Sequence, residues 1–192
     1  MRRSAPALPA TELAARLLGG DAALFPTDTL PALATIPSSA QLLWDLKRRP
    51  AHKPVILMAA TATELWDALG VEALPAWSQL AERYWPGAIT LVLPARSELA
   101  QQLNPGGDSL GVRIPACPQA LALLSRTGPL ATTSANPSGE PPCLSAAEAM
   151  LRFPEVARLA PEPWPSPSGV ASTVVRWHNG SWELLRAGAV VL

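Results

Sequence analysis

Lysine is nearly absent from this chain. It occurs twice in 192 residues, at Lys47 and Lys53, and everywhere else positive charge is carried by arginine. Cysteine is as scarce. Cys117 and Cys143 are too few for a disulfide framework, and neither lies in a Cys-x-x-Cys or Cys/His cluster with metal spacing. Both are expected to be reduced and packed. The two histidines, His52 and His178, neighbour no clear nucleophile or metal set, which argues against a hydrolase triad and a structural zinc site. His52 is expected at the surface, or at most as a phosphate contact. Also missing are Gly-x-x-x-x-Gly-Lys-Ser/Thr, Gly-x-Gly-x-x-Gly and Gly-x-Ser-x-Gly. No apolar run is long enough to span a bilayer. Prolines and Glu12 interrupt the stretch after Met1-Arg2-Arg3-Ser4, so no signal peptide is read. A soluble, cytoplasmic protein without a membrane partner is the expectation.

What is present sets the size of the problem. The length fits one domain, 1–192, and a hydrophobic content of 48% is enough for a sizeable core. Acids and bases balance at 15 each, so the chain as a whole is no basic nucleic-acid glove and any anion binding must be local. It is local: Lys47, Arg48, Arg49 and Lys53 fall together with no acid among them. A chain that uses arginine by default and lysine only here points to a site that wants the compact ammonium group. A solvated basic turn at a helix end would look the same.

The 22 prolines and 12 glycines punctuate apolar segments and indicate tight connections in a compact fold. The stretch 161–169 reads as a Pro-rich extended loop. Helices are predicted over Glu12–Leu18 with Thr11 as cap, Ala40–Arg48 after Ser38-Ser39, Thr61 or Thr63 to Leu69, Pro75–Tyr84, Pro118–Arg126 and Ser145–Phe153. Strands are predicted over Ala22–Phe25, Pro54–Met58, Ala88–Leu93, Ser109–Ile114 and Pro129–Thr133. A hairpin closes the chain, Ser172–Trp177 and Ser181–Arg186 around the turn His178-Asn179-Gly180. The alternation predicts an α/β domain with a mixed sheet.

Polar clusters stand at the ends of, or inside, the apolar strands: Pro26-Thr27-Asp28-Thr29, the lysine segment, Arg113, and Thr132–Gly139. In open α/β sheets, ligands bind beyond the carboxyl ends of strands, where hydroxyls and backbone N–H groups can cradle phosphate. Each cluster has a plainer account. Pro-Thr-Asp-Thr reads as well as a helix cap or Asx turn, and the Thr132–Gly139 loop as a rich turn. Arg113 in an apolar strand must face a ligand, an acid or solvent. Together they suggest an anion-binding cleft lined by Lys47, Arg49, Lys53, Arg113, Ser134 and Asn136. With no nucleophile in sight, the chemistry would be electrostatic and positional, on a phosphorylated substrate.

These segments resemble the YrdC family of threonylcarbamoyl-adenylate synthases. The resemblance rests on Phe25–Thr29, Lys47-Arg48-Arg49-Pro50 with Lys53-Pro54, Trp85–Leu91, Gly111–Pro115, Thr133–Asn136 with Ser138-Gly139, and Ser172-Thr173 before Leu185–Gly188. It runs in order from about Thr11 to Gly188 and ends where the short, single-domain members end. It implies a twisted, open mixed sheet flanked by helices, with a concave, positively lined cleft. It implies an enzyme joining L-threonine, bicarbonate and ATP, with Mg2+, into threonylcarbamoyl-AMP and pyrophosphate. That product feeds threonylcarbamoyladenosine modification of tRNA, which makes tRNA and the downstream threonylcarbamoyl-transfer proteins candidate partners. By position, Lys47, Arg49, Ser134 and Asn136 would form the nucleotide tetrad, with Lys53, Ser109 and Arg186 adding ATP contacts. Thr29, Arg113 and Ser172 would hold the threonine. No metal ligand is implied.

The amino-acid side departs from the family pattern. Leu30-Pro31-Ala32-Leu33 stands where Val-Tyr-Gly-Leu is usual, Met58 where some members have histidine, and Gly87-Ala88 where Gly-Pro is usual. Two other readings therefore stand beside the synthase: a paralogue acting on another carbamoyl or acyl adenylate, and a non-catalytic tRNA- or rRNA-binding module. Charge neutrality weighs against the last.

Overall fold

The computed structural model describes residues 4–48, 50 and 53–192. The elements in chain order are β1 (Ala7–Leu8), α1 (Ala10–Leu18), β2 (Ala23–Phe25), β3 (Ala32–Thr35), a 3-10 turn (Pro37–Ser39), α2 (Gln41–Lys47), β4 (Ile56–Met58), α3 (Ala62–Leu69), α4 (Pro75–Tyr84), β5 (Ile89–Pro94), α5 (Glu98–Leu103), β6 (Ser109–Arg113), α6 (Pro118–Thr127), β7 (Leu130–Ser134), α7 (Ala146–Arg152), β8 (Ala157–Leu159), β9 (Thr173–His178) and β10 (Ser181–Arg186). Among the described residues the strands form one mixed sheet, in the order β1-β8-β2-β3-β7-β4-β6-β5-β9-β10.

Local chemistry starts and stops the helices. Thr61 and Glu64 close a reciprocal capping box at α3. Pro75 and Pro118 sit at first helical positions, where the missing N–H costs nothing. Two expected starts are corrected. α1 begins at Ala10 after Pro9, because proline's fixed φ preorganises the turn and Thr11 is already inside it. Ser38 and Ser39 do not cap α2; Pro37–Ser39 winds a 3-10 turn that runs into it through Ala40. α2 ends on Arg48 in the left-handed conformation, φ 50°, and Lys47 lies in its last turn.

The period-two alternation of the strands divides the core. Leu24, Leu33, Leu57, Leu91, Leu93, Leu110, Val112, Ala131 and Val175 face one side, under α2, α3, α4, α5 and α7. Ala23, Phe25, Ala32, Ala34, Met58, Leu130 and Ala157 face the other, under α1 and α6. Those two helices cover only part of that second face. Over β4, β6, β5 and β9 it is open, and the residues that alternate onto it are Ile56, Ser109, Gly111, Arg113, Thr90, Val92 and Val174. The uncovered half of one sheet face is the floor of a cleft. No helix among the described residues is long and apolar enough to cross a membrane.

Two further features shape that floor. Gly111 cannot carry a side chain without disturbance, since a Cβ there would stand 2.8 Å from Ile56 Cγ2. In β10, Leu184 pairs with Val175 and Arg186 with Val174, so Leu185 is an extra, bulged residue. A bulge re-aims the strand beyond it. Without it, the register would put Arg186 on the opposite face; with it, both Leu185 and Arg186 line the cleft.

The core reading makes a stability prediction. Leu57 is fully buried under the helical layer, whereas Leu151 is 75% exposed. Leu57→Ala is expected to cost about 2–5 kcal/mol, and Leu151→Ala less than about 0.5 kcal/mol, read by urea denaturation.

Candidate active site

The cleft has a volume of about 420 Å3. At the carboxyl end of β6, Arg113 is 2% exposed, and each of its three nitrogens donates one hydrogen bond within the protein. Its Nε donates to the Gly87 carbonyl at 2.9 Å, Nη1 to Thr29 Oγ1 at 2.8 Å and Nη2 to Asp28 Oδ1 at 2.6 Å. The same Asp28 oxygen accepts from the Ala116 amide at 3.1 Å. Burial pushes the guanidinium below its ordinary value, and the neighbouring Asp28 carboxylate opposes that shift. Arginine stays charged throughout. The acid that Arg113 requires is therefore Asp28.

Pro26-Thr27-Asp28-Thr29 is a turn held by the Thr27 hydroxyl. Thr27 Oγ1 donates to the Leu30 carbonyl at 2.6 Å and accepts from the Thr29 and Leu30 amides at 3.2 Å. That closure presents Thr29 to the cleft. Across the floor, Ser172 Oγ and Thr90 Oγ1 lie 2.8 Å apart, both buried. Arg186 clamps Ser172, with Nη2 donating to its carbonyl at 2.7 Å and to its hydroxyl at 3.2 Å. Burial also depresses the Arg186 pKa.

A second polar group stands at the end of β7. Lys47 is 1% exposed, and its Nζ donates to the Ser134 carbonyl and, at 3.4 Å, to Asn136 Oδ1. Ser134 Oγ donates to that Asn136 oxygen at 2.6 Å. The Asn136 amide nitrogen holds the Pro137 and Glu140 carbonyls at 3.0 and 2.7 Å, and the Ser138 amide donates to the Lys47 carbonyl at 2.9 Å. The Ser/Asn loop is thus laced onto the end of α2.

The residues marked in the sequence are largely brought together. Thr29, Ser109, Arg113, Ser134, Ser172 and Arg186 line the one cleft. Lys47 and Asn136 meet Ser134 at its edge. Lys53 is exposed beside it, next to the lining residue Pro54. Arg49 and His52 lie outside the described residues. Sequence reasoning missed Thr90 as a partner of Ser172 and Asn104 in the lining. A polar residue between Ile89 and Leu91 was the available signal for Thr90.

Both cysteines are buried, and desolvation pushes both thiols above their ordinary value, the reverse of an activated thiolate. Among the described residues no group of three or more His, Cys, Asp or Glu is placed to hold a metal ion. The arrangement offers fixed cations, hydroxyls and amides, which suits an anionic substrate.

The Sua5/YciO/YrdC family model, described as telomere recombination, matches residues 15–188. A threonylcarbamoyl-AMP synthase of Bacillus subtilis is 32% identical over 184 residues, which is 93% of this chain and 53% of that protein. One from Halorhodospira halophila is 39% identical over 145 residues, 73% of this chain and 75% of the relative. The crystal structure of P. abyssi Sua5 complexed with L-threonine superposes with a TM-score of 0.86 at 28% identity, covering 96% of this chain and 57% of that one. E. coli YciO shares the fold, with a TM-score of 0.79 at 20% identity over 98% of this chain and 96% of its own. The chain thus spans little more than half the length of the Bacillus and P. abyssi relatives.

The hydroxyl pair on the cleft floor generates a test. Thr90→Val and Ser172→Ala each remove one end of the same bond, and each is expected to cost about 1 kcal/mol. The double variant should cost less than the sum of the two. A thermal double-mutant cycle measures this, and simple additivity would mean the two hydroxyls are not coupled.

Proposed function

The chain belongs to the Sua5/YciO/YrdC family, and from that premise we propose that it makes L-threonylcarbamoyl-AMP from L-threonine, bicarbonate and ATP. The amine of threonine adds to bicarbonate with loss of water, giving a carbamate. A carbamate oxygen then displaces pyrophosphate from the α-phosphorus, so the products are threonylcarbamoyl-AMP, pyrophosphate and water. No protein nucleophile is needed. The cleft's task is to hold a charged amino acid and a polyanion in line and to balance the charge that moves to the leaving group.

The observation that carries this reading is that two differently built anion sites adjoin one cleft. Lys47, Ser134 and Asn136 form a compact cation with hydroxyl and amide groups, suited to phosphates, with Lys53 beside the same end; Arg49, two positions after Lys47 in the sequence, is the further nucleotide contact that the family resemblance implies. Ser109 and Arg186 extend the nucleotide side. Arg113 offers a planar fork suited to an α-carboxylate, with the Thr29 and Ser172 hydroxyls beside it. The magnesium ion that accompanies ATP shields phosphate charge, and the Ser134 and Asn136 oxygens are hard donors compatible with it. On this reading the product feeds tRNA threonylcarbamoyladenosine formation, with the transfer proteins and tRNA as later partners. The whole chain serves as one domain for this chemistry, with 161–169 as its loop.

Pro31 and Met58 in the lining favour one second reading, a paralogue that accepts a different amino acid. Proline fixes φ and offers no N–H, so the pocket mouth is stiffer and lacks a hydroxyl.

The direct test is ATP-dependent pyrophosphate release, which should require both threonine and bicarbonate. Lys47→Ala is expected to weaken ATP binding at least about tenfold without unfolding the protein, since a charge-assisted bond is worth roughly 1.5–3 kcal/mol. Unchanged ATP affinity by calorimetry would put the nucleotide elsewhere. The paired change Pro31→Tyr with Ala32→Gly should lower KM for threonine; a preference of the parent for another amino acid would replace the synthase by the paralogue.

A further inference from the structure

Asp28 does not line the cleft, yet it sets the geometry of a residue that does. We propose that Asp28 is a positioning residue: it fixes the Arg113 guanidinium so that an amino acid's α-carboxylate meets a preset pair of N–H donors. This rests on the reading of the cleft as an amino-acid site.

A guanidinium carries five N–H groups in a rigid fork. Three contacts are made within the protein, to Gly87, Thr29 and Asp28. Five less three leaves one N–H on each terminal nitrogen for a ligand. Which way those two point depends on the rotation of the fork, and the strongest constraint on it is the 2.6 Å ion pair from Nη2 to Asp28 Oδ1. Asp28 is itself held from two sides. Its carboxylate accepts from the Ala116 amide, while the Ser168 and Gly169 amides donate to the Asp28 and Thr29 carbonyls at 3.1 Å. The Pro-rich loop thereby braces the turn that carries the acid. Gly87 comes from the connection before β5, Asp28 and Thr29 from the one after β2. The fork is thus locked from two connections, one of which is itself fastened to the end of β6 by the Gly87 amide donating to the Ile114 carbonyl at 2.9 Å. With its counter-charge behind it, the guanidinium can sit desolvated at the cleft wall and still present two donors forward.

Two variants separate charge from placement. Asp28→Asn removes the charge at nearly constant shape, and Asp28→Glu keeps it but moves it by one methylene. L-threonine affinity by calorimetry, and KM for threonine in pyrophosphate release, are expected to weaken at least about tenfold in Asp28→Asn and by less in Asp28→Glu. At saturating threonine, kcat and the KM for ATP should stay within about twofold of the parent, because the lost contact orients bound substrate and nothing else. A merely structural role would lower melting temperature without this split. Parent-like threonine affinity in both variants, or a fall in kcat at unchanged KM, overturns the proposal. Should Asp28→Asn fail to fold, Asp28→Glu reads alone: raised KM at constant kcat supports positioning, parent KM refutes it. A parent that binds no amino acid overturns the amino-acid reading and this inference together. A parent that binds threonine, beside variants that bind it equally well, overturns this inference alone.

Discussion

A guanidinium taken out of water must be paired, or the fold that buries it fails. Arg113 is such a group, and its partners come from the connection before β5 and from the turn after β2, 85 residues away in the case of Asp28. That one charge ties the Thr27–Thr29 turn to the carboxyl end of β6 and to the Gly87 backbone, which β5–β6 pairing already sets beside it. The Pro-rich loop then packs on the turn through Ser168 and Gly169. Ser172 follows it directly, beside Thr90 and Arg186. Much of one cleft wall is therefore a consequence of how a single buried cation is neutralised.

The opposite wall follows the same logic with a different ion. Lys47 leaves the last turn of α2 and is buried against Ser134 and Asn136. A compact ammonium gathers carbonyl and amide oxygens where a planar fork would not fit. Between the two sites lies a sheet face that α1 and α6 leave uncovered. Gly111 keeps its floor low, and the bulge at Leu185 turns Arg186 toward it. The proposed division between carboxylate and phosphate rests on the different shapes of the two buried cations, a planar guanidinium at Arg113 and a compact ammonium at Lys47.

Much of this was legible in the sequence. Helices from Pro75 and Pro118, the capped helix after Thr61 and the terminal Asn-Gly hairpin were readable because caps, prolines and turns act locally. β1, β8, β3 and α5 were not read. Ala32-Leu33-Ala34-Thr35 has little strand propensity and is a strand only because β2 and β7 flank it. β8 is three residues long with a buried arginine, and α5 is only six residues long. In the site, residue types chosen for their chemistry were visible: lysine, Ser-x-Asn, an arginine inside an apolar strand. What pairs with what was not, because Asp28 with Arg113 and Thr90 with Ser172 are contacts made by topology across more than 80 residues.

The proposed enzyme needs two distinct anion sites in one cleft, phosphate at the Ser134 end and carboxylate at the Arg113 end. Amide hydrogen exchange measured with ATP and magnesium, then with threonine added, tests it most directly. Nucleotide is expected to protect 133–139 first, and threonine then to add protection over 27–31. Protection of both segments by ATP alone, or of neither with binding verified, would contradict it.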